Sequence, residues 1–324
     1  MRKSTRRLLS AISAGGLLYV AASWAAARAL ADRLLSSRGL GPTPDRYDEL
    51  FGALAQAPIV GGLRHAGNPL LPVEVASTFA SPGEPGRRPT ILFLHGKGGN
   101  ASEWREEAAR ALSLGYNVLL PDLRGHGRSG GSIFTLGFLE KEDLALTVAA
   151  AGARFGLDPD RIGIHSCSAG SSVALEFAAD RPGIRAIWLE SPFAEPLAMA
   201  RHYLSRATRV PAPLLGLTTR WAVRRAVARV RRDLGLPPGD GLDRVDPLAA
   251  VARVRAPILL VHGADDRLVP PRFTERLAAA LPPHSGVWNV SGAGHCHHGN
   301  EPQAVARKAY ARKWEEFFTA YLPA

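Results

Sequence analysis

The stretch Arg161–Glu176, R-I-G-I-H-S-C-S-A-G-S-S-V-A-L-E, decides the fold. Ile162 and Ile164 have the spacing of a short apolar strand, and Val173, Ala174 and Phe177 follow at helical spacing. Between them lie Ser166-Cys167-Ser168-Ala169-Gly170, with small residues two before and two after Ser168. A serine on a very sharp strand-to-helix turn requires this, because bulky neighbours at those positions would collide with it. The strained backbone pushes the hydroxyl clear of the sheet, and the helix N-terminus beneath it favours negative charge. Ser168 therefore reads as a nucleophile.

Two other serines compete. Gly127-Arg128-Ser129-Gly130-Gly131 also fits Gly-x-Ser-x-Gly, but it lies in a Gly-rich loop after Asp122, with no strand before it and no immediate helix after it. Ser166 has Ile164 two residues before it, a poor fit to the turn. A plain helix N-cap would also account for serines between 166 and 172. The rest of the chain raises Ser168 above that reading.

With 324 residues the chain can form one large domain with a proper core, or at most two. Hydrophobic residues make up 46% and charged residues 21%, which excludes an intrinsically disordered chain. The net charge of +11 is concentrated. Residues 1–33 hold six basic and one acidic residue, and residues 195–235 hold nine basic and two acidic, which leaves the rest near −1. No nucleic-acid-binding motif accompanies the excess, so a nucleic-acid partner is not implied. Two cysteines, Cys167 and Cys296, imply no disulfide framework and read as small buried thiols.

Residues 8–27 run without a charge behind Arg2, Lys3, Arg6 and Arg7. Twenty helical residues just span a bilayer core, with the basic flank cytoplasmic. Residues 1–33 accordingly read as a membrane anchor or, given the Ala-x-Ala sites between Ala25 and Ala31, a cleaved signal. Either would put the remaining domain outside the cytoplasm, membrane-bound or secreted; a buried helix is the third reading. Residues 34–57 carry the Gly and Pro of a linker.

From 58 to 324, strands alternate with helices. Strands are predicted at Val73–Phe79, Thr90–Leu94, Tyr116–Leu120, Ala186–Leu189, Pro257–Val261 and Gly286–Val290, with helices at Trp104–Leu114 and Phe138–Phe155. The alternation implies an α/β fold, a mostly parallel sheet with helices on both faces. Residues 193–250 break the rhythm. Val223, Ala226, Val227 and Val230 have helical spacing with Arg224, Arg225, Arg229, Arg231 and Arg232 interleaved, as expected of a helical lid over the carboxyl edge of the sheet. Its arginines suit an anionic substrate, an anionic membrane, or simply solvent.

A serine nucleophile needs a base oriented by a third group. The carboxylate comes from V-H-G-A-D-D-R-L-V-P, residues 261–270, where Asp265 and Asp266 compete. The pattern His-Gly, two residues, Asp, two residues, Val-Pro selects Asp266. The base comes from S-G-A-G-H-C-H-H-G-N, residues 291–300. Glycines before a loop histidine favour His295 over His297 and His298. That cluster also raises a metal reading, but no second cluster completes a zinc shell, and no cofactor is implied. The oxyanion hole needs two backbone N–H groups. Ala169 supplies one, and Lys97 in the loop L-H-G-K-G-G-N, residues 94–100, supplies the other. His95 reads as a structural hydrogen-bonder and His126 is given no chemistry.

The order Ser168, Asp266, His295, with the His95-Gly96, Asp122–Gly131 and Gly294-His295 loops, resembles the α/β-hydrolase superfamily from about residue 70 onward. Thr135-x-Gly137-x-x-Glu140-x-x-Asp143-Leu144 further resembles its membrane-anchored or peripheral serine hydrolases. The resemblance implies an eight-stranded sheet, a cap between strands six and seven, and a serine hydrolase acting on an ester or thioester of a small-molecule or lipid acyl substrate. Peptidase or acyltransferase chemistry uses the same triad, and a non-catalytic lipid-binding or membrane-surface protein shares the fold. Ser166 stands where the family commonly has glycine.

Overall fold

The computed structural model describes residues 3–37, 45–296 and 304–324. The linker residues 38–44 and the rival histidines His297 and His298 lie outside the described residues. Two compact units emerge, one from Met1–Leu35 with Pro196–Gly241, the other from Ser36–Glu195 with Leu242–Ala324.

The larger unit is built on eight strands: β1 (Ile59–Ala66), β2 (Glu74–Ser81), β3 (Thr90–Leu94), β4 (Asn117–Pro121), β5 (Ile162–Cys167), β6 (Ile184–Glu190), β7 (Ile258–Gly263) and β8 (Gly286–Val290). Their order is β1-β2-β4-β3-β5-β6-β7-β8. β1 pairs with β2, and β2 with β4, antiparallel; the remaining pairs are parallel. The expected mostly parallel sheet is therefore present. β3, β4, β5 and β7 are buried along their whole length, which is why they read as near-continuous apolar runs.

Successive residues serve opposite faces. Ile91 and Phe93 join the core formed with α2 (Tyr47–Leu54), α3 (Arg105–Ser113) and α10 (Ala304–Tyr321), where Trp104, Trp188, Trp314 and Phe318 are buried. α4 (Glu140–Phe155) and α5 (Ala169–Ala178) pack against each other and on the strands, α4 on β1 and β2, α5 on β3, β5 and β6. The short helices α8 (Pro247–Val251) and α9 (Glu275–Ala278) complete this unit.

Two elements depart from the sequence expectation. β1 was hidden because it is an edge strand, half exposed, with Gly61 and Gly62 diluting the alternation. Gly61 is needed there: a Cβ would lie 2.7 Å from the Phe155 ring. The segment read as linker contains α2, whose Leu50 and Leu54 are fully buried.

The smaller unit consists of α1 (Lys3–Leu35), α6 (Pro196–Thr208) and α7 (Gly216–Leu234), the last two inserted between β6 and β7 in chain order. α1 packs along α7. Its buried face is Ser23, Ala27, Leu30, Ala31 and Leu35, and α7 contributes Ala222, Ala226, Val227 and Val230. Small residues on both helices permit a close approach, and Arg229 reaches Asp32 at 2.9 Å. The expected membrane span is not supported. Among the described residues no helix is long and apolar enough to cross a bilayer. The side chains of residues 8–15, where much of the expected span falls, lie outside the described ones.

Candidate active site

The elbow after β5 has the strain that its sequence implies. Ser168 has φ 52° and ψ −122°, outside the regions that L-residues ordinarily occupy. From Ile162 to Ala179 it is the one residue that is not buried. Two contacts hold the turn. Ser168 N–H donates to the Glu190 carbonyl at 2.8 Å. Gly170 sits so close to the β3 loop that a Cβ would come 2.4 Å from the His95 carbonyl oxygen. Ser166, where glycine is common, is fully buried and its hydroxyl donates to Ser171 Oγ at 3.2 Å, so the turn accommodates it.

The competing serine is otherwise engaged. Ser129 Oγ donates to the Asp122 carbonyl at 2.6 Å and accepts from Ala76 N–H at 2.8 Å, tying a rim loop to β2.

Asp266 follows β7, with its side chain fully buried, while Asp265 is exposed. Asp266 Oδ1 accepts from the N–H groups of Leu268 and Val269 at 2.9 and 2.8 Å, and Oδ2 faces His295 Nδ1 at 2.8 Å. Burial alone would raise its carboxyl, but hydrogen bonds from His262, His295 and the Val269 N–H outweigh that and hold it well below the usual carboxylate range. The charged carboxylate thus fixes the His295 proton on Nδ1 and leaves Nε2 unprotonated. Asp266 and His295 are brought together; among the described residues no hydrogen bond joins His295 to Ser168. Their loops do meet, because the Cys296 thiol is buried against Cys167, a contact that together with desolvation pushes it up. Cys296 N–H also donates to Ser191 Oγ at 3.2 Å.

Ala169 heads α5, so its N–H has no acceptor within the helix. Lys97 is the second residue of a turn closed by Gly99 N–H to the Gly96 carbonyl at 3.1 Å. Gly96 lies against Ser168: a Cβ there would be 3.3 Å from Ser168 Cβ. The His95 ring is structural. Its Nε2 accepts from Leu123 N–H at 3.0 Å, so the proton is on Nδ1, directed at the Gly96 carbonyl at 2.8 Å. His126 donates from Nδ1 to the Arg124 carbonyl at 2.9 Å, and burial lowers its pKa to about 3, which keeps it neutral.

Sequence reasoning missed the support beneath these residues. His262, fully buried at the end of β7, points Nε2 at the Val269 carbonyl at 2.6 Å and stands 3.4 Å from Asp266 Oδ2. Its Nδ1 lies 2.6 Å from Thr274 Oγ1, which is anchored on the Pro192 carbonyl at 2.9 Å. The signal was present in His262-Gly263-x-x-Asp266, a histidine four residues before the carboxylate. Beneath the elbow, the buried Glu190 carboxylate accepts from Tyr310 Oη, His165 Nε2 at 3.0 Å and Trp188 Nε1 at 3.3 Å. Trp314 Nε1 donates to His165 Nδ1 at 3.2 Å, which settles that tautomer. Burial and the Glu190 charge push the Tyr310 phenol well up.

The motif at 135–144 braces the rim rather than reacting. Glu140 accepts from Thr135 N–H, Thr135 Oγ1 and Gly137 N–H at 2.8, 2.7 and 2.8 Å. Asp143 forms a buried ion pair with Arg124, 2.7 Å at its shortest.

With this geometry stand the comparisons with known proteins. Residues 91–308 match the Alpha/beta hydrolase family, and the chain belongs to it. YqkD of Bacillus subtilis is 32% identical over 191 residues, 58% of each chain, so the match spans somewhat over half of that relative's length. Rv2307c of Mycobacterium tuberculosis is 29% identical over 72% of this chain and 71% of its own. Among solved structures, the Pyrococcus furiosus esterase Pf2001 superposes with a TM-score of 0.63 at 20% identity, covering 88% of this chain and 98% of that one, a likeness of fold.

Proposed function

We propose that the protein is a serine hydrolase that cleaves a carboxylic ester or thioester through an acyl-enzyme. The observation that carries this reading is Ser168, the one unburied residue of a strained strand-to-helix turn, in a protein whose buried Asp266 holds His295 at 2.8 Å.

Ser168 Oγ attacks the acyl carbonyl while His295 Nε2 takes its proton. Asp266 stabilises the imidazolium that forms without itself becoming protonated. The tetrahedral oxyanion lies against the N–H groups of Ala169 and Lys97, at the head of α5. Collapse expels the alcohol or thiol, which receives the proton from His295. Water, deprotonated by the same ring, then attacks the acyl-serine and releases the acid. The Ser168–His295 hydrogen bond closes in the substrate complex, as catalytic hydrogen bonds often tighten only there.

Turnover of short p-nitrophenyl esters by wild type, Ser168→Ala and His295→Ala tests the assignment. Each variant is expected to lose about 10³-fold or more in kcat. Wild-type turnover in both variants would overturn it and favour a binding role for the fold.

A further inference from the structure

The smaller unit holds nearly all of the charge imbalance. Met1–Leu35 and Pro196–Gly241 together carry fifteen basic and three acidic residues, a net of +12. The remaining chain carries twenty-five basic and twenty-six acidic residues, a net of −1. The same unit carries six of the ten large hydrophobic side chains that stand exposed among the described residues, on about a quarter of the chain. Leu18 is 72% exposed, Leu214 56% and Trp24 54%, and Tyr19, Val20 and Leu197 are exposed as well. Tyr19 Oη donates to the Leu214 carbonyl at 2.7 Å, which joins the α1 residues and the segment before α7 into one surface. Arg28 lies over the Trp24 ring at 5.4 Å. On α1, Leu18, Ala21, Ala22, Ala25 and Ala26 are exposed and uncharged.

An exposed apolar face within a cationic unit is expensive in water and informative. Apolar side chains enter the headgroup region while arginines meet lipid phosphates, and this pairing defines an interfacial membrane helix. A nucleic acid would use the arginines but leave Leu18, Val20 and Leu214 in water. A second copy of the unit would cover the apolar face, but at the cost of placing one +12 charge against another.

We propose that this unit is a docking module for the surface of an anionic lipid bilayer, with the exposed side chains of α1 and Leu214 inserted at the headgroup level. Exposed Arg220, Arg224 and Arg225 on α7 supply the electrostatic hold. The module serves to bring the protein to lipid and does not depend on Ser168 being a nucleophile.

Flotation of the full chain with phosphatidylcholine vesicles, with and without 30% phosphatidylglycerol, tests it. Binding is expected only to the anionic vesicles, and is expected to fall at least tenfold between 0.1 and 0.5 M salt. Arg220→Gln/Arg224→Gln/Arg225→Gln and, separately, Leu18→Ser/Trp24→Ser should each weaken it at least tenfold, with unchanged thermal unfolding. Ser168→Ala should bind as wild type, which separates this proposal from the catalytic one. Equal binding to neutral vesicles, retention in the bilayer after a high-salt wash, or no vesicle binding by a chain that dimerises through Leu18 and Trp24 would overturn it. So would DNA binding as tight as vesicle binding and indifferent to Leu18→Ser/Trp24→Ser.

Discussion

Replacing Asp266 by Asn separates geometry from charge. In wild type, Oδ1 is engaged by the N–H groups of Leu268 and Val269, and Oδ2 by His295. Asn keeps an oxygen for the two backbone donors, so the 266–269 turn should survive. The amide nitrogen then faces His295 Nδ1 and can only donate to it. The ring proton must move to Nε2, where it blocks acceptance of the Ser168 proton, and the imidazolium loses its counter-charge. Both effects act on the transition state, so kcat should fall by about 10⁴-fold, or ~5.4 kcal/mol at ~1.36 kcal/mol per decade, with little change in KM. The assay is p-nitrophenyl ester hydrolysis at pH 7, accompanied by urea unfolding. The same substitution has a signature in stability. Because the folded-state carboxyl is held below its unfolded value of about 3.9, its contribution is full above that pH and is lost as pH falls through the folded value. Wild type should therefore exceed Asp266→Asn in stability at pH 7, and the gap should begin to narrow only once the pH falls below about 4. An Asp266→Asn enzyme within tenfold of wild type and normally folded would refute the assignment of Asp266.

Three further outcomes follow from the buried supports. His262→Leu should lower kcat about 10- to 100-fold at nearly constant KM, because Asp266 loses a charged hydrogen bond, and His262→Gln, which can still donate, should recover part of the loss. Steady-state kinetics of both variants decides this. Tyr310→Phe removes one of the donors to the buried Glu190 carboxylate and should cost about 1.5–3 kcal/mol of stability by denaturant titration, with a smaller effect on catalysis. His126, depressed to about 3 by burial, stabilises the fold fully above its unfolded pKa near 6.5. Stability should fall by up to ~1.4 kcal/mol per pH unit as pH drops from there toward 3, and His126→Gln should remove that portion of the slope.

The sheet was legible because its central strands are buried on both faces and read as apolar runs. Thr90–Leu94, buried throughout, falls where the pattern places it, and so does the half-exposed edge strand Gly286–Val290. β1 was not legible, since an exposed edge strand with two glycines carries no alternation. The elbow announced itself through steric necessity at the residues flanking Ser168. Glu190, Tyr310 and His262 did not, because a buried polar residue on a strand or helix looks like any other until its partners, up to 120 residues away, are known. Nor could spacing reveal that α1 and α7 would form one unit, since the contact joins the N-terminal helix to a segment inserted between β6 and β7 in chain order.

The most direct measurement is covalent labelling by a fluorophosphonate probe, comparing wild type, Ser168→Ala and Ser166→Ala. The account predicts stoichiometric labelling of wild type and Ser166→Ala, none of Ser168→Ala, and a modified peptide containing Ser168. A folded wild type that resists the probe, or label retained in Ser168→Ala, would contradict it.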